Sequence, residues 1–188
     1  MIRFLHSIVR LDSCTRNAAA LLAGLAMIAA TSGCIEGKAC TAMACLDGFH
    51  ITTATADKSW APGDYALEIT VDGEVVSCAY SWTGTSPPGQ LVSAQCSSRA
   101  VSVEVHPVTT CTETRRGDAV SQSCVPVPGQ FTQGISISGT PARVDVTERR
   151  DGAVLGERSF TPGYRTWYPN GEGCEPGCRV DEQEWELP

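Results

Sequence analysis

The sequence predicts an all-β domain, an antiparallel immunoglobulin-like sandwich with a partly closed β-barrel as the alternative. Three observations lead there. Apolar residues recur at period two in short runs, Gly, Pro or Asp-Gly punctuation bounds each run, and no longer window past the N-terminal leader carries apolar residues at helical spacing. Eight or nine such runs in about 140 residues match the strand density of a sandwich.

The runs follow in order. Phe49 to Ala56 forms the first, ahead of Pro62-Gly63. Tyr65, Leu67, Ile69 and Val71 then alternate with Ala66, Glu68 and Thr70, the pattern of a strand with one buried face. Asp72-Gly73 supplies a turn whose central residues tolerate positive φ, and Glu74 to Trp82 returns with Val76, Cys78, Tyr80 and Trp82 on one side. Leu91 to Cys96 follows Pro87-Pro88-Gly89, and Val101, Val103 and Val105 precede Pro107, which should end that strand. Ile135 and Ile137 precede Gly139, while Val144 and Val146 lead through Asp151-Gly152 into Val154 to Phe160. Val180 to Leu187 closes a sheet, and its acidic stretch Asp181 to Glu186 reads as a solvated edge. Trp82 follows Cys78 too closely to complete the Cys, Trp, Cys spacing of true immunoglobulin domains, so that likeness is architectural only.

Three domains of use divide the chain: a leader over 1–33, a lipidated cysteine with a short tether over 34–45, and one sandwich domain over 46–188. Arg3, Arg10 and Arg16 give the leader a cationic start, and Ala18 to Ala30 is an apolar run of 13 residues. Crossing a ~30 Å hydrocarbon core takes roughly 20, so the run reads as an export signal. Thr31-Ser32-Gly33-Cys34 resembles a lipobox, with Thr31 where Leu is preferred. Lipid on Cys34 would place at least two acyl chains in one leaflet, enough for stable anchoring. Ile35, rather than Asp, follows that cysteine, which points to the outer membrane of the cell envelope.

Cleavage before Cys34 leaves 155 of the 188 residues, enough for a single core. It also removes three basic residues and one acid, so 11 basic residues face 20 acidic ones and the net charge is −9. No basic footprint for nucleic acid remains.

Ten cysteines, less Cys14 in the leader and Cys34, leave eight: Cys40, Cys45, Cys78, Cys96, Cys111, Cys124, Cys174 and Cys178. An even set in an exported chain reads as a disulfide framework. Proximity favours four local bridges, Cys40 with Cys45, Cys78 with Cys96, Cys111 with Cys124, and Cys174 with Cys178. A zinc site from Cys40, Cys45, Cys174 and Cys178 lacks paired CxxC spacing and would sit in an oxidising compartment. The sequence therefore predicts no metal and no cofactor.

Candidate chemistry is sparse. Of the two histidines left, His50 and His106, both fall on strand positions, and Gly134-Ile135-Ser136-Ile137-Ser138-Gly139 is a strand rather than a nucleophile elbow. Joining either histidine to a serine and an acid would strengthen a hydrolase reading. Acids near turns, Asp72, Asp145 and Asp151, form no DxDxDG calcium loop. Arg116-Gly117-Asp118 would sit at a loop tip if Cys111 pairs with Cys124, and reads as a turn. Tyr164, Trp167 and Tyr168, beside Pro169-Asn170-Gly171, read first as packing and second as a recognition surface for an envelope protein or glycan.

The stretches Thr161-Pro162-Gly163-Tyr164-Arg165-Thr166, Tyr168-Pro169-Asn170-Gly171 and Cys174-Glu175-Pro176-Gly177-Cys178-Arg179, together with the lipobox and the strand rhythm, resemble a recurring tail in uncharacterised lipoproteins of myxobacterial type. The resemblance implies an exported, lipid-anchored, disulfide-bonded β domain and carries no catalytic residues. The sequence thus points to a non-enzymatic binding or structural module held at the envelope through Cys34. The alternative is a small periplasmic or surface hydrolase, or an enzyme inhibitor.

Overall fold

Strand after strand pairs across the register that period-two alternation dictates. The computed structural model describes residue 40 and residues 43–85, 91–117 and 119–188. The leader, Cys34, Ile35, the Pro87-Pro88-Gly89 turn and Asp118 lie outside the described residues. Among the described residues there are eleven strands: β1 (Gly48–Thr55), β2 (Gly63–Val71), β3 (Glu74–Trp82), β4 (Val92–Ser93), β5 (Gln95–Cys96), β6 (Val101–Arg116), β7 (Ala119–Ser138), β8 (Val144–Arg150), β9 (Ala153–Phe160), β10 (Arg165–Trp167) and β11 (Cys178–Leu187). They build a six-stranded sheet in the order β10-β11-β1-β7-β6-β4 and a five-stranded sheet in the order β5-β3-β2-β8-β9. The two sheets pack face to face as a sandwich and do not close into a barrel.

The inner faces supply the core. Phe49, Ile51, Val101, Val103, Val105, Ile135, Ile137, Trp185 and Leu187 from the larger sheet meet Leu67, Ile69, Val76, Trp82, Val144, Val146 and Phe160 from the smaller one. Phe160 lies edge-on to both Phe49 and Trp185, with centroids 5.9 and 6.1 Å apart, so aromatic edges key the sheets together. The β2–β3 hairpin pairs Val71 with Glu74 around Asp72 and Gly73, both at positive φ.

Two features depart from the sequence expectation. Pro107 does not end its strand: a bulge between Pro107 and Thr109 lets β6 continue to Arg116. Among the described residues, β6 from Pro107 onward pairs with β7 alone, so the proline's missing N–H faces no third strand. The continuation pairs Thr109 with Pro126 and Arg116 with Ala119, making a two-stranded arm whose residues 109–126 are all exposed where described. Second, β11 lies parallel to β1, Gly48 beside Val180 and Thr55 beside Leu187, in otherwise antiparallel surroundings.

That parallel pair overturns half of the expected disulfide map. Cys78 pairs with Cys96 and Cys111 with Cys124, as local bridging predicts. Cys40 instead joins Cys174, and Cys45 joins Cys178, at sequence separations of 134 and 133. The reason is register: extending β1 and β11 backward side by side brings Cys45 next to Cys178, with Cα atoms 5.4 Å apart. A parallel ladder aligns two chain segments that sequence proximity keeps separate.

Candidate functional site

Strand register gives the molecule two unlike ends. At the first, Cys45 precedes β1, Cys178 opens β11, β6 begins and β7 stops. The segment before β1 is strapped there by both long-range disulfides. Asn170 adds a clamp: its Oδ1 accepts from the Met43 N–H at 2.9 Å, and its Nδ2 donates to the Met43 carbonyl at 3.2 Å. The Tyr-Pro-Asn-Gly segment makes the turn its composition predicts, with Gly171 N–H donating to the Tyr168 carbonyl at 3.0 Å.

The predicted aromatic surface divides at this end. Tyr164 turns inward, donating its hydroxyl to the Pro141 carbonyl at 2.9 Å under the Arg179 guanidinium. Tyr168 packs on Gly177, where a Cβ would come within 2.8 Å of its ring. Trp167 alone of the three stands out, 53 % exposed on the short strand β10. Two of the three rings therefore serve packing around the strap, not one continuous binding face.

At the opposite end β1 and β11 finish and the arm leaves the sheet. Phe131, at the arm's base, donates its N–H to the Lys58 carbonyl at 2.8 Å and lies edge-on to Trp82, with centroids 4.8 Å apart. Beside it opens a cavity of about 340 Å³ with Trp60, Tyr65, Leu155 and Leu187 as its apolar wall and Asp57 and Arg150 as charged groups. Trp60, Tyr65 and Tyr80 stack behind it, with successive centroids 5.5 and 4.9 Å apart. Arg116 and Gly117 of the Arg-Gly-Asp tripeptide sit at the arm's tip, and Gly117 takes the positive φ that a tight turn needs.

Comparison with protein-family models, with curated proteins and with solved structures found no match.

A third arrangement occupies the outer face of the six-stranded sheet, and it brings the two histidines together. His50 on β1 and His106 on β6 lean from opposite sides over Gly134 on β7. A Cβ placed on Gly134 would lie 3.0 Å from His50 Cε1 and 3.5 Å from the Nε2 atoms of both rings. Gly134 is accordingly buried although it belongs to the outward-facing row. His50 Nδ1 and Ser136 Oγ are 2.9 Å apart in a hydrogen bond, Glu182 stands opposite His50 on β11, and Glu104 Oε2 lies 3.5 Å from His106 Nε2. Burial holds the His50 imidazole below its ordinary pKa; Glu182 opposes this and the neighbouring His106 reinforces it. Among the described residues, no group of three or more His, Cys, Asp or Glu is arranged to hold a metal ion.

Sequence reasoning placed both histidines on strands but gave no sign that they meet. Their separation of 56 positions hides the contact, and the signal that could have found it is Gly134, a glycine inside an otherwise regular strand.

Proposed function

We infer that this chain is a non-enzymatic envelope lipoprotein that stands its sandwich close to a membrane and presents the β6–β7 arm and the aromatic cavity outward to an envelope partner. The carrying observation is the separation of the two ends. The chain that would lead to a lipid on Cys34 enters at the strapped end, while arm and cavity occupy the other. Only five residues lie between Cys34 and Cys40, six Cα steps with a reach of roughly 20 Å when fully extended. The exposed arm and the cavity walled by Trp60 and Tyr65 lie at the end of the sandwich opposite the strapped segment, which supports a partner meeting them there.

The arrangement around Ser136 supports binding over hydrolysis. Ser136 sits near the C-terminal end of β7, paired with His50 on one side and Ser102 on the other. Backbone N–H groups of a strand flanked on both sides are spent in ladder hydrogen bonds, so they form no oxyanion pocket beside the serine. A hydrolase also needs its nucleophile raised on a sharp turn, and Ser136 lies within a strand paired on both sides.

Intact mass spectrometry of protein from native membranes, combined with fractionation of Cys34→Ala, tests the anchor. A mature start at Cys34 carrying acyl mass, and release of the variant, are the expected results; an unlipidated start overturns the reading. A photo-crosslinker at position 116 should give discrete adducts in intact envelopes, and the same probe at position 167 should not. Equal adducts at both positions would remove the case for the arm.

A further inference from the structure

We propose that His50 and His106 form a two-imidazole binding site for a divalent transition cation of the copper or zinc type, seated in the dimple above Gly134. The inference is separate from the reading of the arm, since it concerns a sheet face rather than an end of the sandwich.

The first observation is convergence. The Nε2 atoms of both rings lie 3.5 Å from a single point above Gly134, so the two are at most twice that, or about 7 Å, apart. An ion bound to both at about 2.0–2.1 Å needs them no more than roughly 4.2 Å apart. His106 has a side chain 38 % exposed, and binding requires its ring to turn from Glu104 toward His50. The rings approach across β7 because position 134 has no side chain to keep them apart.

The second observation is the state of the other ring nitrogen. A metal-ligating histidine almost always directs its second N–H to a hydrogen-bond acceptor, which fixes tautomer and ring orientation. His50 meets that description: Nδ1 is held by Ser136 Oγ at 2.9 Å, leaving Nε2 directed over the glycine. Burial disfavours the charged form of the His50 imidazole, and the neutral form is the one that coordinates.

The third is charge. Glu104, next to His106, and Glu182, opposite His50, place two carboxylates around the dimple, so a divalent cation arrives in a negative field. Imidazole nitrogens suit copper and zinc, and the stability order of divalent ions favours copper. Water fills the coordination positions that two side chains leave open.

The test uses tag-free protein purified from its native source, titrated separately with zinc chloride and copper sulfate. One ion per chain is expected. His50→Ala and His106→Ala should each weaken binding at least tenfold, and Ser136→Ala, which removes only the outer hydrogen bond, by about tenfold. Gly134→Ala should also weaken it, because the new methyl would lie 3.0 Å from His50 Cε1. A double histidine variant that binds as tightly as the parent overturns the proposal, as does the absence of one-per-chain binding of either ion. Electron paramagnetic resonance of the unaltered protein with copper(II) gives a check free of any folding defect. Two coordinated imidazole nitrogens support the site, and a spectrum with none rules it out.

Discussion

Gln133 and Glu148 meet inside the sandwich, where the amide Nε2 of one donates to the carboxyl Oε2 of the other at 3.0 Å. Both side chains have no exposed surface. They end a buried chain in which Trp60 Nε1 donates to the Tyr80 hydroxyl at 3.1 Å and that hydroxyl donates to Gln133 Oε1 at 2.6 Å. The second carboxyl oxygen, Glu148 Oε1, has no hydrogen-bond partner, and neither does Thr53 Oγ1 on the strand beside Gln133. A charge at this depth costs far more than a neutral acid, and burial pushes the Glu148 carboxyl up to about 7 against the opposing pull of the Gln133 bond.

Stability should therefore fall as pH rises from about 4.5 to about 7. An acid whose folded-state pKa lies above its unfolded value binds more protons when folded, so its contribution is complete at the acidic end and is lost through that window. The interval corresponds to about 3 kcal/mol. Glu148→Gln should flatten the slope and raise stability at pH 7.5, measured by urea denaturation across the range. Asp57 and Asp145, held low by hydrogen bonds from Ser59 and Arg143, act in the opposite sense below the ordinary carboxylate value. The difference between parent and variant isolates Glu148, and parallel pH profiles would refute its role.

The two straps should act cooperatively. While one long-range bridge stands, the other closes only a small ring, worth about 3 kcal/mol in the chain-entropy model. Replacing Cys45 and Cys178 by Ala, or Cys40 and Cys174, should cost about that much. Replacing all four opens the loop of more than 130 residues as well and should cost about 8 kcal/mol, enough to unfold the domain. Denaturation midpoints of the three variants decide this, and a simple sum of two equal losses would contradict it.

The arm should be separable from the sandwich. A lone two-stranded hairpin is marginal in water, and in the arm the Cys111–Cys124 bridge is what closes the ribbon covalently. Removing that bridge should leave the unfolding free energy of the body within about 1 kcal/mol while making residues 109–126 a site of rapid proteolysis. Limited digestion followed by mass mapping reads the cut; loss of the whole domain to protease would show that the arm supports the core.

Gly156→Ala should destabilise the domain by about 1–3 kcal/mol, the usual cost of overpacking a core. The added methyl would stand 2.8 Å from Trp185 Cζ2 and 2.9 Å from Leu187 Cδ2, both on buried side chains of the opposing sheet. A thermal midpoint within a degree of the parent would mean that β9 and β11 move apart without penalty.

The local part of this architecture was legible in the sequence, and the non-local part was not. Tyr65 to Val71 and Glu74 to Trp82 declared their hairpin because alternation and an Asp-Gly turn are both local signals. The inner rows of β1, β6, β7 and β8 were legible for the same reason. The direction in which β11 joins β1 was hidden, since alternation carries no information about strand orientation, and with it went the pairing of Cys40, Cys45, Cys174 and Cys178. The arm was missed because Pro107 suggested a break, whereas a strand with one neighbour tolerates a proline. Glu148 gave no warning either: one acid among 21 in the sequence looks soluble until its neighbours Val144 and Val146 are seen to face inward with it.

The two straps also decide what a protease can set free. Because Cys45 is bonded to Cys178 and Cys40 to Cys174, the backbone between them is a closed circuit. One cut within it, even through the exposed arm, yields two pieces that stay joined until a reductant reaches the sulfurs. A single cut that frees the intact domain from the chain before it therefore has to fall ahead of Cys40.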